Sequence, residues 1–399
     1  MQAWRALRGL PREVWVLFGA TLVNRMGTMA LPFLVLYLTR SLAFTPAGAG
    51  AVVALYGACA IASSPFGGRL ADRIGPLAVL RGSLFATGTL LLAYPLARSR
   101  LAVLAMTGLW AGANELFRPA SLSAVAALVP PEKRRSAIAL NRLAINLGMS
   151  VGPALGGFLA SVSFPALFAV DGVTSLLAGA VLLSWRAAPR PGASADGVLV
   201  VSRGALGDRR LLFFLAAVVP VGMVFFQHEA AMALYLVSGL GFSERVYGLL
   251  FTLNTLIIVA LEVPLNAWTA AWPHARSLAT GALLVGSGFG LLALARSLPA
   301  VALTVVVWTF GEMTLLPAMG AYVADLAPAD RRGAYMGLYT MAFSVAFAVG
   351  PWLGTLVLAR RGAVALWGGC FVFGVVSAIA FARLTEKAKS DVSLESPAP

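Results

Sequence analysis

Arg25, Glu115, Arg118, His228, Glu229 and Glu312 all lie inside long apolar stretches of the sequence. A charge there loses its hydration unless it finds a partner or a water-filled cavity, so ionisable residues in such stretches are read first as functional. Carboxylates in this setting suit two tasks. An apolar cavity favours the neutral carboxyl and a nearby cation favours the charged one, so moving surroundings can make it take up or release a proton. A carboxylate can also hold a cationic ligand. Glu115 and Arg118 are three apart and share an expected helical face, where a purely structural ion pair would serve equally well. Asn24 adds an amide beside Arg25, and Glu312 has no cation within its own stretch. On a regular helix His228 and Glu229 point to different faces, which favours packing for His228. Asp171 is expected on a peripheral helix in a structural role, and Glu262 is open between roles.

Other chemistries lack their residues. There is no phosphate-binding Gly-x-x-x-x-Gly-Lys-Ser/Thr loop and no His-Glu-x-x-His metal motif, so no catalytic residue, metal or cofactor is expected. Cys59 and Cys370 stand alone in apolar runs, with neither zinc nor disulfide spacing. The net charge of +14 comes from short clusters between apolar blocks, not from a basic face or arm, so nucleic acid is not an expected partner.

The elements that must position these residues are membrane helices. Of 399 residues, 59% are hydrophobic and only 12% charged, about half the charged share of a soluble domain. Apolar blocks such as 14–38, 77–96 and 363–382 reach the roughly 20 residues that cross a hydrocarbon core. Breaks at Pro, Gly and charge clusters predict an all-α integral membrane protein with helices over 14–38, 47–70, 77–97, 101–124, 137–161, 165–186, 211–238, 245–270, 275–295, 299–323, 333–358 and 363–385. Six helices over 1–186 and six over 211–385 flank a polar linker at 187–210, and a flexible tail follows at 386–399. Clusters such as Arg69/Arg73/Arg81, Lys133-Arg134-Arg135 and Arg331-Arg332 fall on one side, and Arg40, Arg98, Arg100, Arg245, Arg296, Arg360 and Arg361 on the other. The positive-inside rule then puts both termini and the linker in the cytoplasm. The first residues, MQAWRALRGLPREVW, read as a cytoplasmic lead-in and not a cleaved signal.

The halves repeat. Leu36-Tyr37-Leu38 returns as Leu234-Tyr235-Leu236, Glu115 as Glu312, Gly152-Pro153 as Gly350-Pro351, and Pro131–Arg135 as Pro328–Arg332, each at an offset of 197 or 198. Two parallel repeats related by an axis along the membrane normal suit a transporter that rocks two bundles about a central site.

Two strings carry a resemblance to a known family. The turn Gly67-Gly68-Arg69-Leu70-Ala71-Asp72-Arg73-Ile74-Gly75 resembles the loop 2–3 signature of the major facilitator superfamily, though Pro76 and Leu77 replace its usual basic residues. The resemblance implies that Gly68, Asp72, Arg73 and Gly75 form a cytoplasmic gate. Gly148, Gly152 and Gly156, spaced four apart, make a flat stripe for close helix packing, and packing alone would account for it. The string Gly148-x-x-x-Gly152-Pro153-x-x-Gly156-Gly157 also resembles the helix 5 signature of the superfamily's drug:proton antiporters. Gly108 stands where that branch has an arginine in helix 4. The resemblance further implies a central cavity lined by helices 1, 4, 7 and 10, hence by Asn24, Arg25, Glu115, Arg118, Glu229 and Glu312.

The expected function is proton-coupled efflux of small amphipathic or cationic compounds by a monomer in the cell inner membrane, with the substrate, protons and lipid as its partners. Uptake or export of a nutrient, metabolite or lipid is the alternative. A membrane sensor or intramembrane enzyme fits the repeat and the motifs less well.

Overall fold

The computed structural model describes residues 9–185, 203–328 and 331–384, with no strand among them. The lead-in residues 1–8, most of the expected linker (187–202) and the expected tail (386–399) lie outside the described residues. The helices are α1 (Arg12–Gly27), α2 (Ala30–Ser41), α3 (Pro46–Ile74), α4 (Pro76–Ala93), α5 (Arg100–Glu115), α6 (Phe117–Leu128), α7 (Pro131–Val162), α8 (Phe164–Leu183), α9 (Arg203–Leu206), α10 (Arg209–Phe225), α11 (Ala231–Leu234), α12 (Glu244–Thr269), α13 (His274–Leu291), α14 (Leu298–Leu326) and α15 (Arg332–Ala382).

Among the described residues nine stretches are long and apolar enough to cross a membrane. The last, Arg332–Ala382, is two spans meeting at Gly362, whose φ of 82° is open to glycine but strained for other residues. The near-continuous pair α5–α6 and the 18-residue α13 complete twelve passes. Three expected single helices are broken. The first span parts at Thr28–Met29 between α1 and α2, the fourth at Leu116, and the seventh runs through a 3-10 turn (Phe226–Glu229), α11 and a π turn (Tyr235–Gly239). Hydropathy registers a span but not a local break that neighbouring groups satisfy. The seventh span also starts earlier than expected, with α9 and the first residues of α10 lying inside 187–210.

Short caps start the helices. Thr45, Ser99, Ser163 and Ser243 each accept a backbone N–H of the first turn through the side-chain oxygen, filling groups the helix leaves open. Asp208 caps α10 by accepting from the amides of Arg210 and Leu211 and also accepts from the Tyr335 hydroxyl at 2.7 Å, which ties α10 to α15. Partial burial pushes the Asp208 carboxyl up, but the Tyr335 hydroxyl, the two amides and the Arg210 charge outweigh it and hold the carboxyl below its ordinary value. A depressed carboxyl stabilises the fold above its unfolded value, about 4, and loses that contribution as pH falls through the lower folded value. Asp208→Ala is therefore expected to cost about 1 kcal/mol at pH 7 and progressively less below pH 4. Thermal unfolding in detergent across pH measures this. An unchanged midpoint at pH 7 would remove the cap from the account.

Small residues set the packing, and they do so in pairs related by the repeat. A Cβ on Gly148 would lie 2.4 Å from Arg25 Cβ, and one on Gly156 2.7 Å from Met29 Cβ, so α7 presses its stripe onto the break in the first span. In the second half Gly350 and Gly354 of α15 press likewise onto Met223 and Gln227, at the break in the seventh. Two further crossings join the halves: α3 on α15, through Gly50 against Thr355, and α12 on α7, through Gly248 against the Pro153 carbonyl and Gly157 against the Glu244 carbonyl.

Both crossings lie toward one face of the bundle, called here the Arg40 face. There Arg40 and Glu244 form an ion pair between the halves. Arg245 donates to Ser161 at 2.8 Å and lies 4.7 Å over the Phe158 ring. Toward the opposite face, called the Asp72 face, Ile138 and Leu147 of α7, Leu256, Val259 and Val263 of α12, and Met341 and Val345 of α15 are exposed. The halves are sealed on the Arg40 face.

Candidate functional site

The first-half wall is organised by the break at Thr28–Met29. Two amides lose their helical acceptors there, and Asp171 Oδ2 takes both, Met29 N at 3.1 Å and Ala30 N at 2.9 Å. Asn24 Nδ2 donates to Ser175 Oγ at 3.2 Å. Between these anchors the Arg25 Cζ lies 5.8 Å from the centroid of the Phe117 ring. Its Nε is buried without a hydrogen-bond partner, and Glu115, Tyr56, Arg118 and Asp171 are its charged or titratable neighbours. Asn114 Nδ2 donates to the Tyr56 hydroxyl at 2.8 Å.

The Glu115–Arg118 ion pair, the alternative structural reading of these two residues, is not formed among the described residues. Among the described residues the ion pairs are Arg40–Glu244, His228–Glu229 and His274–Asp325. Leu116 interrupts the helix between Glu115 and Arg118, and Arg118 is exposed. Glu115 thus faces two cations, Arg25 and Arg118, without contacting either.

The second-half wall carries Glu312 on α14. Asn254 Nδ2 on α12 donates to Glu312 Oε2 and to Thr309 Oγ1, both at 2.9 Å. Glu262 and His228 are the other charged or titratable neighbours of Glu312. His228 and Glu229 stand together, with Nε2 3.3 Å from Oε1. They do not face apart as expected: residues 226–229 leave the regular α-helix for a 3-10 turn and Ala230 is non-helical at φ −145°, ψ −65°. The imidazole is walled by Trp308, stacked at 6.1 Å, and by Phe225 and Phe251 edges.

The gate motif sits at the end of α3 on the Asp72 face. Gly67 packs on Leu116 and Pro119, where a Cβ would lie 2.7 Å from Pro119 Cγ. Gly75, at φ 90°, lets α4 follow α3 with no intervening loop. Asp72 and Arg73 are exposed, and a cleft of about 510 Å³ bounded by Ser63, Phe66, Arg69, Arg73, Gly112 and Leu116 lies beside them. In the helix 5 string, Gly148, Gly152 and Gly156 face the first span, whereas Pro153 and Gly157 meet α12 of the other half.

Two repeated six-helix bundles, sealed at one face and bearing polar groups on both inner walls, are the build of a membrane transporter and not of an enzyme. The comparisons with known proteins agree. The family model of the Major Facilitator Superfamily matches residues 17–244 and 229–398, and the chain belongs to that superfamily. It is 26% identical over 388 residues to the uncharacterized MFS-type transporter YqjV of Bacillus subtilis, covering 95% of this chain and 93% of that one. It is 25% identical over 372 residues to a Na(+), Li(+), K(+)/H(+) antiporter of Planococcus maritimus, covering 84% and 87%. It is 27% identical over 329 residues to the multidrug resistance protein MdtH of Aeromonas hydrophila, covering 75% and 80%. A solved nucleoside transporter, NupG, shares the fold at a TM-score of 0.79 with 12% identity, covering 94% of this chain and 99% of that one.

Proposed function

We propose that this protein is a proton-coupled exporter of small amphipathic or cationic compounds, working by alternating access in the inner membrane with its Asp72 face toward the cytoplasm. The observation that carries the reading is a pair of repeat-related, half-buried carboxylates, Glu115 and Glu312, neither held in an ion pair among the described residues. A carboxylate locked to an arginine could give up neither a proton nor a bound cation without breaking a buried pair. These two can exchange one for the other. The kinship with an antiporter and a multidrug resistance protein supports this reading, as does the helix 5 string.

Proteoliposomes carrying ethidium outside and a pH-sensitive dye inside test it. An imposed pH gradient is expected to drive ethidium movement with opposed proton flow. Glu115→Gln and Glu312→Gln, made separately and shown to be folded, are each expected to cut that flux at least tenfold, about 1.4 kcal/mol or more in the coupled step. Wild-type flux indifferent to the gradient removes proton coupling. Full coupled flux in both variants removes these carboxylates from it. Transport of a nutrient or lipid from a parallel panel, with ethidium left unmoved, replaces the substrate class.

A further inference from the structure

The cleft beside the gate turn opens away from the other half. Gly57 of α3 packs on α15, where a Cβ would lie 2.9 Å from Ala348 Cα. At 3.6 residues per turn, Phe66 stands about 180° around α3 from Gly57, and Arg73 about 160°. The side of α3 that carries the cleft is therefore remote from the central cavity and turned to the bilayer. The second wall belongs to α5. A Cβ on Gly112 would lie 3.3 Å from Ser63 Oγ, and Gly67 packs on Leu116, so the two helices touch along Ser63 and Gly67 and the cleft runs beside that contact. Phe66 is exposed, as is Leu109 of α5, two turns from Leu116 on the same helical face. An exposed apolar stripe of this kind marks a surface made for acyl chains.

The other end of the cleft is cationic. The apolar span of α3 runs over Pro46–Ser64, so Arg69 and Arg73 follow it at the level where hydrocarbon gives way to headgroups. Both are exposed, one turn apart, and both line the cleft. No carboxylate lines it, and Asp72 lies about 100° around the helix from Arg73. A guanidinium offers a planar fork of N–H groups that matches a phosphate. Every phospholipid brings that phosphate. A choline or ethanolamine headgroup would add a third cation beside the two arginines, whereas a glycerol headgroup leaves the phosphate charge uncompensated for them.

We propose that the cleft between α3 and α5 binds one anionic glycerophospholipid from the adjoining leaflet, its phosphate at Arg69 and Arg73 and one acyl chain laid along Phe66 and Leu116 toward Leu109. The site goes beyond the transport reading and stands without it. All the lining residues belong to the first half, so the lipid travels with that half and is not released when the two halves rock.

A bimane on a cysteine at Leu109, with Cys59→Ala and Cys370→Ala, reads occupancy by quenching in vesicles of dioleoylphosphatidylcholine. Chain-brominated phosphatidylglycerol and chain-brominated phosphatidylcholine are compared at equal mole fraction. Phosphatidylglycerol is expected to quench as though enriched about fivefold at this label, the effect of roughly one basic residue at an anionic surface. At a label on Val372 of the twelfth span, exposed but far from the cleft, the enrichment is expected to stay under twofold. Arg69→Gln is expected to bring the enrichment at Leu109 under twofold, and Arg69→Lys, which keeps the charge, to leave it above threefold. Unfolding midpoints in detergent show that both variants are folded. Equal quenching by the two lipids in the wild type overturns the site. So does full enrichment in Arg69→Gln, or the same enrichment at Val372. Inorganic phosphate at millimolar concentration is expected to leave the quenching unchanged, and displacement by it would overturn the lipid in favour of a free anion.

Discussion

Asp72→Asn is expected to reduce transport at least tenfold while leaving insertion, folding and the seal on the Arg40 face unchanged. The reason lies in where the carboxylate stands in the captured state. Asp72 is exposed on its face, and no hydrogen bond or ion pair of its side chain is found among the described residues. In the proposed gate it acts when the halves swing together on that face and α3 approaches the second half. The second half presents there the N-terminal end of α15, which starts at Arg332. A carboxylate placed at a helix N-terminus gains from the first-turn N–H groups and the helix dipole, and an amide of the same shape keeps little of the charge term. The variant should therefore accumulate in the present state. Flux in proteoliposomes and the dipolar distance between a spin-label pair on cysteines placed at Ser41 and Arg361, which face each other across the halves, together check this. Normal turnover by Asp72→Asn would remove the residue from the gate.

Gly157→Val is expected to do the reverse, by breaking the seal. A Cβ at 157 would lie 2.4 Å from the Glu244 carbonyl oxygen and 3.2 Å from Arg245 Cα, both backbone atoms with no rotamer to yield. The two helices must move apart, at an overpacking cost of about 1–3 kcal/mol. That cost falls only on the state in which the Arg40 face is closed, so the equilibrium should shift toward opening by roughly tenfold to a hundredfold. The label pair should report the longer distance at every pH, and transport should fall because one half of the cycle is disfavoured. Gly19→Val, where a Cβ would meet nothing within 4 Å, serves as the control. An unchanged distance distribution in Gly157→Val would show that α7 and α12 do not carry the seal.

The span count and the parallel repeat were legible because both depend on features a linear reading preserves: apolar length, breaks at Pro and Gly, and matched residues at a fixed offset. Within the candidate site, legibility stopped at the charged residues. Glu115, Glu312 and Arg25 announce themselves by the cost of placing them in an apolar run, whereas Asn254 and Tyr56 carry no charge, and their contacts with Glu312 and Asn114 depend on helices distant in sequence. The amide in Leu253-Asn254-Thr255 was a usable signal, since a polar side chain in a membrane helix also seeks a partner. The His228–Glu229 pair was hidden for another reason. The expectation assumes a regular helix, and the departure from one at residues 226–230 falls inside a span that hydropathy reads as continuous. The Arg40–Glu244 pair joins the ends of two spans 204 positions apart, a proximity no local pattern encodes.

The single-residue joint at Gly362 bears on how the chain can be cut or extended. Spans eleven and twelve share one glycine in place of a loop, and spans two and three meet at Gly75 in the same way. Neither joint has slack, so an inserted tag or protease site there would draw both spans out of register. Residues 187–202, the longest polar gap between apolar blocks in the sequence, are where the polypeptide can be opened into two separately expressed halves. Reassembly of such halves would then rest on the two glycine crossings and the Arg40–Glu244 pair rather than on chain connectivity.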